Sequence, residues 1–406
     1  MGLIDYSKVI NKTVEEIKPS GIRRFFDIAA SMEDVISLGV GEPDFNTPWQ
    51  VRKAGINSLE KGKTKYTSNK GNDMLIAEIS KYMSRKYGVD YTDSDIFVTV
   101  GGSEAIDACI RAVVESGDEV IIPQPSYVCY EPITRLAGGV PVIINTQAEN
   151  DFKVTPEELK NAISDRTKLL ILPYPCNPTG AIMEKEDIEK LYEVLKDTNI
   201  LVLSDEIYSE LTFNGKAHCS PASIDGMKER TVVVNGFSKA FSMTGWRLGF
   251  ACGPKEIIAP MLKIHQYAIM CAPTTSQYAA IEALRSCDED VKYMVDEYNR
   301  RRRLVVNGFN KIGLTCREPK GAFYAFPSIK STGLSSEEFC QKLLDSKKVA
   351  VVPGNAFGDS GEGFVRVSYC YSVEEHLFWR WNALASFGRG VRENRKPYPR
   401  GIFTLG

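Results

Sequence analysis

The chain has 406 residues, 43% of them hydrophobic and 25% charged, which excludes a disordered chain or a small disulfide-stapled scaffold and leaves room for a large α/β domain with a smaller one. Fifty Lys and Arg balance 52 Asp and Glu to a formal charge of −2, so nothing in the total charge steers the protein to nucleic acid or an anionic membrane. Ten cysteines without a Cys-x-x-Cys pair, several among apolar residues (Cys109, Cys252, Cys271), point to a reducing cytoplasm, and three histidines (His218, His265, His376) without ligand spacing give no basis for a metal site.

The start, Met1-Gly2-Leu3, soon turns charged and misses the myristoylation pattern at Tyr6, so neither export nor a lipid anchor is expected, and no apolar run reaches membrane length. From about residue 95 to 250, apolar β-branched runs alternate with amphipathic stretches. Ile96–Val100 reads as a strand, followed by a helical pattern at Ala105, Ile106, Cys109, Ile110 and Val113, a turn at Gly117-Asp118, and a strand at Val120–Ile122. Val142–Ile144 follows, then a helix opened by Thr155 as cap, Pro156 at its first position and Glu158 at its third, then a strand at Leu169–Leu172. Further strands are predicted at Leu201–Leu203, Thr231–Val234 and Leu248–Ala251. Unbroken apolar strands separated by helices predict an α/β fold, a mostly parallel central sheet with helices on both faces, plus a smaller α+β domain. A long polar helix near 290–312 contains Arg300-Arg301-Arg302-Arg303, read as a solvated face. The Arg- and Pro-rich stretch 388–406 reads as a loose tail.

Four segments carry chemistry. Val100-Gly101-Gly102-Ser103-Glu104 joins a strand to a helix, a junction whose free N–H groups and positive dipole end suit a phosphate, though glycines there also serve plain turns. Pro173–Gly180 is a turn that places the Asn177 amide at the C-terminal edge of the sheet, where open α/β folds bind ligands. Ser204-Asp205-Glu206-Ile207-Tyr208 ends a strand in acids; an ATPase reading fails because Lys61-Gly62-Lys63-Thr64 has Asn57 where the phosphate loop needs glycine, and follows a helical pattern rather than a strand. Asn235–Arg247 sets Lys239 just past a strand and eight residues before Arg247, the ingredients of an amine nucleophile beside an anion clamp.

Together, Asn177-Pro178-Thr179-Gly180, Ser204-Asp205-Glu206-x-Tyr208 and Ser238-Lys239-x-Phe241-x-Met243-x-Gly245-Trp246-Arg247 resemble the successive signatures of class I aminotransferases, pyridoxal-phosphate enzymes of the aspartate aminotransferase fold. The resemblance runs from Ser20 to Ser386. It implies that Lys239 holds pyridoxal 5'-phosphate as a Schiff base and moves the proton at the substrate Cα. Asp205 would pair with the pyridine nitrogen, Tyr208 and Asn177 would bond the phenolic oxygen, and Tyr127 would stack on the ring in place of the Trp of several relatives. Gly102, Ser103, Ser238 and Arg247 would bind the phosphate, with Tyr66 reaching the phosphate of the neighbouring subunit, so a homodimer is implied. Gly41 would meet the substrate through its backbone, and Arg366 would grip the α-carboxylate.

The implied function is ping-pong transfer of an amino group from an L-amino acid to a 2-oxo acid such as 2-oxoglutarate in the cytoplasm. Within the class the chain looks most like the prokaryotic subgroup of aspartate and N-acetyl-diaminopimelate aminotransferases; Ser20–Phe26 and His265-Gln266-Tyr267 lean to the latter. Some aspartate-specific relatives have Lys where this chain has Ser103 and Thr where it has Ile22; Arg23 could read a distal carboxylate instead, or be a solvated charge. A C–S β-lyase on the same scaffold is the alternative, and an idle ligand-binding regulator is disfavoured by the intact Lys239, Asp205 and Arg366. The expected division is an arm and part of the small domain in 1–45, a large domain in 46–295, the small C-terminal domain in 296–387 and a basic tail in 388–406, the small domain closing over substrate.

Overall fold

The computed structural model describes residues 4–19, 21 and 34–371. Strand β1 (Ile36–Ser37) precedes helices Trp49–Glu60 and Asp73–Tyr87, after which a seven-stranded sheet is laid down. Its strands are β2 (Ile96–Thr99), β3 (Glu119–Gln124), β4 (Val140–Asn145), β5 (Thr167–Leu172), β6 (Leu201–Asp205), β7 (Thr231–Gly236) and β8 (Gly249–Cys252). The spatial order is β2-β8-β7-β6-β5-β3-β4, and β8 alone runs against its neighbours. The mostly parallel sheet expected from the alternation is therefore present.

The strands read as unbroken apolar runs because both faces are covered. On β5, Leu169 and Ile171 enter the core shared with helices Gly101–Val113 and Lys255–Ala268, whereas Leu170 and Leu172 enter the opposite core with Ile188 and Leu191 of helix Lys185–Leu195. Alternate side chains of one strand thus serve two cores, and neither can be polar. The Thr155 cap forms as read from the sequence: its hydroxyl accepts the Glu158 N–H at 3.3 Å and the Glu158 carboxylate accepts the Thr155 N–H at 2.8 Å.

A second, smaller unit follows. β9 (Tyr324–Ala325), β11 (Val352–Pro353) and β12 (Val365–Ser368) form an antiparallel sheet in the order β11-β12-β9, while β10 (Val349–Ala350) pairs in parallel with β1. The amino-terminal strand thereby pairs with a strand of the carboxyl-terminal segment.

The arginine run departs from expectation. Arg300 and Arg303 are exposed, but the side chains of Arg301 and Arg302 are only 3% and 0% exposed. Helix Asp288–Lys311 is 24 residues long and packs one face inward, so successive residues about 100° apart cannot all reach water. Arg301 bridges Asp44 and Glu297, and Arg302 donates to Glu318, the Pro319 carbonyl, Asn299 and Asn214 while lying 5.0 Å over the Phe213 ring. Buried guanidinium groups persist because every face finds a partner. Replacing Arg302 by Met should therefore cost about 3 kcal/mol in urea unfolding, while Arg303→Met should leave the midpoint nearly unchanged; equal effects would refute the assignment.

Candidate active site

Six strands of the large sheet point their carboxyl ends to one edge, the place where an open α/β sheet presents loops to a ligand. A cavity of about 300 Å³ opens there. Past β2, Gly101 turns the chain at φ 76°, in the left-handed region that a side chain disfavours, and starts a helix whose Gly102 and Ser103 face the cavity. Tyr127 arrives after β3, Asn177 after β5, Asp205 and Tyr208 at the end of β6, and Ser238 and Lys239 after β7. Arg247 enters just before β8. From the smaller unit come Gly41, past β1, and Arg366, on β12.

Every residue singled out from the sequence thus lines one cavity, with two exceptions. Tyr66 is 80% exposed and does not line it, and Arg23 lies outside the described residues, as does the 388–406 tail.

The electrostatics of the site centre on two groups. The Lys239 Nζ donates to the Gly41 carbonyl at 2.7 Å, and burial above all lowers its pKa to about 8, with Cys370 and Glu42 opposing. Asp205 accepts from the Tyr130 hydroxyl at 2.7 Å and from the Ile207 N–H at 3.2 Å; burial raises its pKa and the Tyr130 bond opposes the rise. Among the described residues neither group takes part in an ion pair, although both line the same cavity.

Arg366 is held from several sides. Its Nη1 donates to the Asn177 side-chain oxygen at 2.8 Å, its Nη2 donates to the Gly39 carbonyl, and its guanidinium lies 4.4 Å from the Tyr324 ring and 4.8 Å from the Phe357 ring. Its buried Nε lacks a partner. Arg247, at φ 53°, folds back so that its Nη1 donates to the Thr244 carbonyl at 3.1 Å and its guanidinium lies against Gly101.

The region of the chain from 33 to 377 matches the family of class I and II aminotransferases. The chain belongs to that family. It is 54% identical to the putative aminotransferase YugH of Bacillus subtilis (strain 168), over 89% of this chain and 94% of that protein. It is 43% identical to the probable N-acetyl-LL-diaminopimelate aminotransferase of the same organism, over 90% of this chain and 92% of that one. Among solved structures, the aspartate aminotransferase of Rhizobium meliloti superposes with a TM-score of 0.89 at 36% identity, covering 95% of this chain and 98% of that chain. The protein is an aminotransferase, and the lyase alternative is not favoured.

Two residues of the aminotransferase site escape a reading of the sequence. Tyr130 supports Asp205, and its position three residues after Tyr127 on the next helix was the available signal. Tyr324 sits in the apolar run Ala322–Phe326, where nothing marks its hydroxyl as functional. That hydroxyl lies 2.9 Å from the Tyr208 hydroxyl, and burial raises the Tyr324 pKa to about 12. It also crowds Gly41: a methyl group there would stand 1.9 Å from the Tyr324 oxygen.

Two outcomes are expected. In the cofactor-free protein, reductive methylation of Lys239, mapped by peptide mass spectrometry, should accelerate as pH rises through about 8, because the neutral amine predominates above that value; a rise only near the ordinary lysine value of about 10.4 would contradict it. Gly41→Ala should lower kcat/KM by about tenfold or more, since the displaced Tyr324 shifts both Tyr208 and Arg366, and Tyr324→Phe in the same chain should recover part of the loss by removing the clashing oxygen.

Proposed function

We propose that this aminotransferase works with pyridoxal 5'-phosphate held at the Lys239 amine and moves the amino group of an L-amino acid to a 2-oxo acid, with 2-oxoglutarate as the proposed acceptor. The observation that supports this most directly is that half-buried Lys239 and buried Asp205 share a cavity without an ion pair between them. An aldehyde for the amine and a protonated ring nitrogen for the carboxylate would satisfy both at once. The remaining donors suit the other ends of such a molecule: first-turn amides at Gly102, the Ser103 and Ser238 hydroxyls and the Arg247 fork suit a phosphate.

When bound, the cofactor supplies an electron sink for the substrate carbon and a carrier for its amino group. The chain's residues do the rest. Lys239, with its pKa lowered to about 8, takes and returns the proton at the substrate Cα. Asp205 would pair with the ring nitrogen, and Tyr208 and Asn177 would bond the phenolic oxygen. Tyr127 covers one ring face. Arg366, pre-oriented by Asn177, Gly39 and Tyr324, clamps the α-carboxylate, and the Gly41 backbone lines the substrate's side.

A homodimer is part of the proposal, with the exposed Tyr66 reaching the phosphate site of the second subunit. So are the division into residues 46–295 and a small domain from 1–45 and 296–387, and its closure over substrate. Ten cysteines without a disulfide among them accord with a reducing cytoplasm. N-acetyl-LL-diaminopimelate and aspartate are the proposed donors.

Borohydride reduction of the cofactor-loaded protein should fix the label on Lys239, and Lys239→Ala should lower turnover by about a thousandfold or more. A label on another side chain would overturn the assignment. A donor panel with 2-oxoglutarate, run beside cystathionine with pyruvate as readout, should show transfer and little pyruvate; the reverse pattern would make the protein a lyase.

A further inference from the structure

The helix Gly101–Val113 starts at the cavity, and its first-turn amides and dipole favour an anion there. Its first turn also carries an acid. Glu104 accepts the Val100 N–H at 2.5 Å with Oε2, while its Oε1 lies 2.5 Å from Nδ1 of His265. His265 is fully buried on helix Lys255–Ala268, with the Phe97 ring edge-on at 5.6 Å, and its Nε2 has no partner. A free carboxylate at this point would repel the phosphate that the same helix start is proposed to bind, and in a partly buried site such repulsion is poorly screened. The imidazole is the one side chain bonded to that carboxylate among the described residues.

We propose that His265 and Glu104 are positioning residues for the cofactor phosphate. The imidazole holds the Glu104 carboxylate against the Val100 N–H, so the turn into Gly101–Ser103 stays formed and the carboxylate is kept from turning toward the anion. The same histidine anchors a second part of the site. Its carbonyl accepts the N–H groups of Ile269 and Met270 at 2.8 and 3.0 Å; the Met270 carbonyl accepts from Asn69 at 2.8 Å and the Lys65 carbonyl from Thr274 at 2.8 Å. The segment bearing Tyr66 is thus tied to the helix end that His265 closes. This role rests on the reading that the helix start binds the cofactor phosphate.

The test uses purified protein stripped of cofactor, with dissociation constants measured by absorbance for pyridoxal 5'-phosphate and for pyridoxal, which lacks the phosphate. His265→Asn keeps an N–H donor but is too short to hold Glu104 where the imidazole does, so the carboxylate is freed to approach the anion. It should weaken the phosphate-bearing vitamer about tenfold and leave pyridoxal within about twofold. Adding Glu104→Gln to His265→Asn should restore most of the affinity. The double variant retains the same packing defect, so such recovery could arise only from removing the charge. If the double variant binds no better than His265→Asn, or if both vitamers weaken alike, the pair is merely structural and the proposal fails. If the unaltered protein holds both vitamers equally, the phosphate reading itself fails, and the pair's role with it.

Discussion

Two groups of opposite tendency sit in one cavity and are kept from neutralising each other. Left alone, a half-buried lysine and a buried aspartate in one cavity would gain by pairing, since each loses hydration there. The fold prevents it by giving each a local, uncharged partner: the Gly41 carbonyl for Lys239, and the Tyr130 hydroxyl with the Ile207 N–H for Asp205. The consequences are opposite in direction and alike in cause. Burial lowers the pKa of the amine to about 8 and raises that of the carboxyl, so both charged forms are disfavoured until a ligand enters. A site with this much unsatisfied demand lowers stability and raises affinity for whatever satisfies it.

The geometry that makes this possible belongs to the sheet. Asp205 ends β6, and Lys239 follows β7, its immediate parallel neighbour, so the two enter the cavity from adjacent strand ends without sharing a loop. Tyr130 comes from the helix after β3, two strands away from β6, and can approach the carboxylate from the side opposite the lysine's strand. The smaller unit supplies the rest. Tyr324 bonds Tyr208, stacks under Arg366 and crowds Gly41, so one phenol fixes the relative placement of Tyr208, Arg366 and the backbone that accepts the Lys239 bond.

Much of this was legible before any coordinates. The strands announced themselves because burial on both faces forces unbroken apolar runs, and Asn177, Asp205 and Lys239 stood out because polar groups at the ends of such runs need a purpose. What stayed hidden is explained by distance along the chain. The partners of Arg302 include Asn214, and the partner of Tyr324 is Tyr208, separations of 88 and 116 residues that no periodicity encodes. The arginine run illustrates the opposite error: four consecutive charges look like a solvated face, yet a helix turns through more than a quarter circle per residue, and two of the four were carried into the core. Nothing in the sequence gives Glu104 a role, because its partner His265 lies 161 residues away.

The stretch from Gly39 to Thr47 links these levels. It bonds Arg366 at Gly39, Lys239 at Gly41, Thr244 at Glu42 and Arg301 at Asp44; Thr47 donates to the Ser242 carbonyl at 2.6 Å and accepts from the Trp246 indole at 3.1 Å. Its partners thus come from both units, and the lysine is one of them. The Lys239 bond falls at the middle of the stretch, between the tie at Gly39 and those at Asp44 and Thr47. One short backbone stretch thus ties the Lys239 amine at the edge of the large sheet to Arg366 of the smaller unit through carbonyls two residues apart, so the two sides of the cavity are held in register by Gly39 and Gly41.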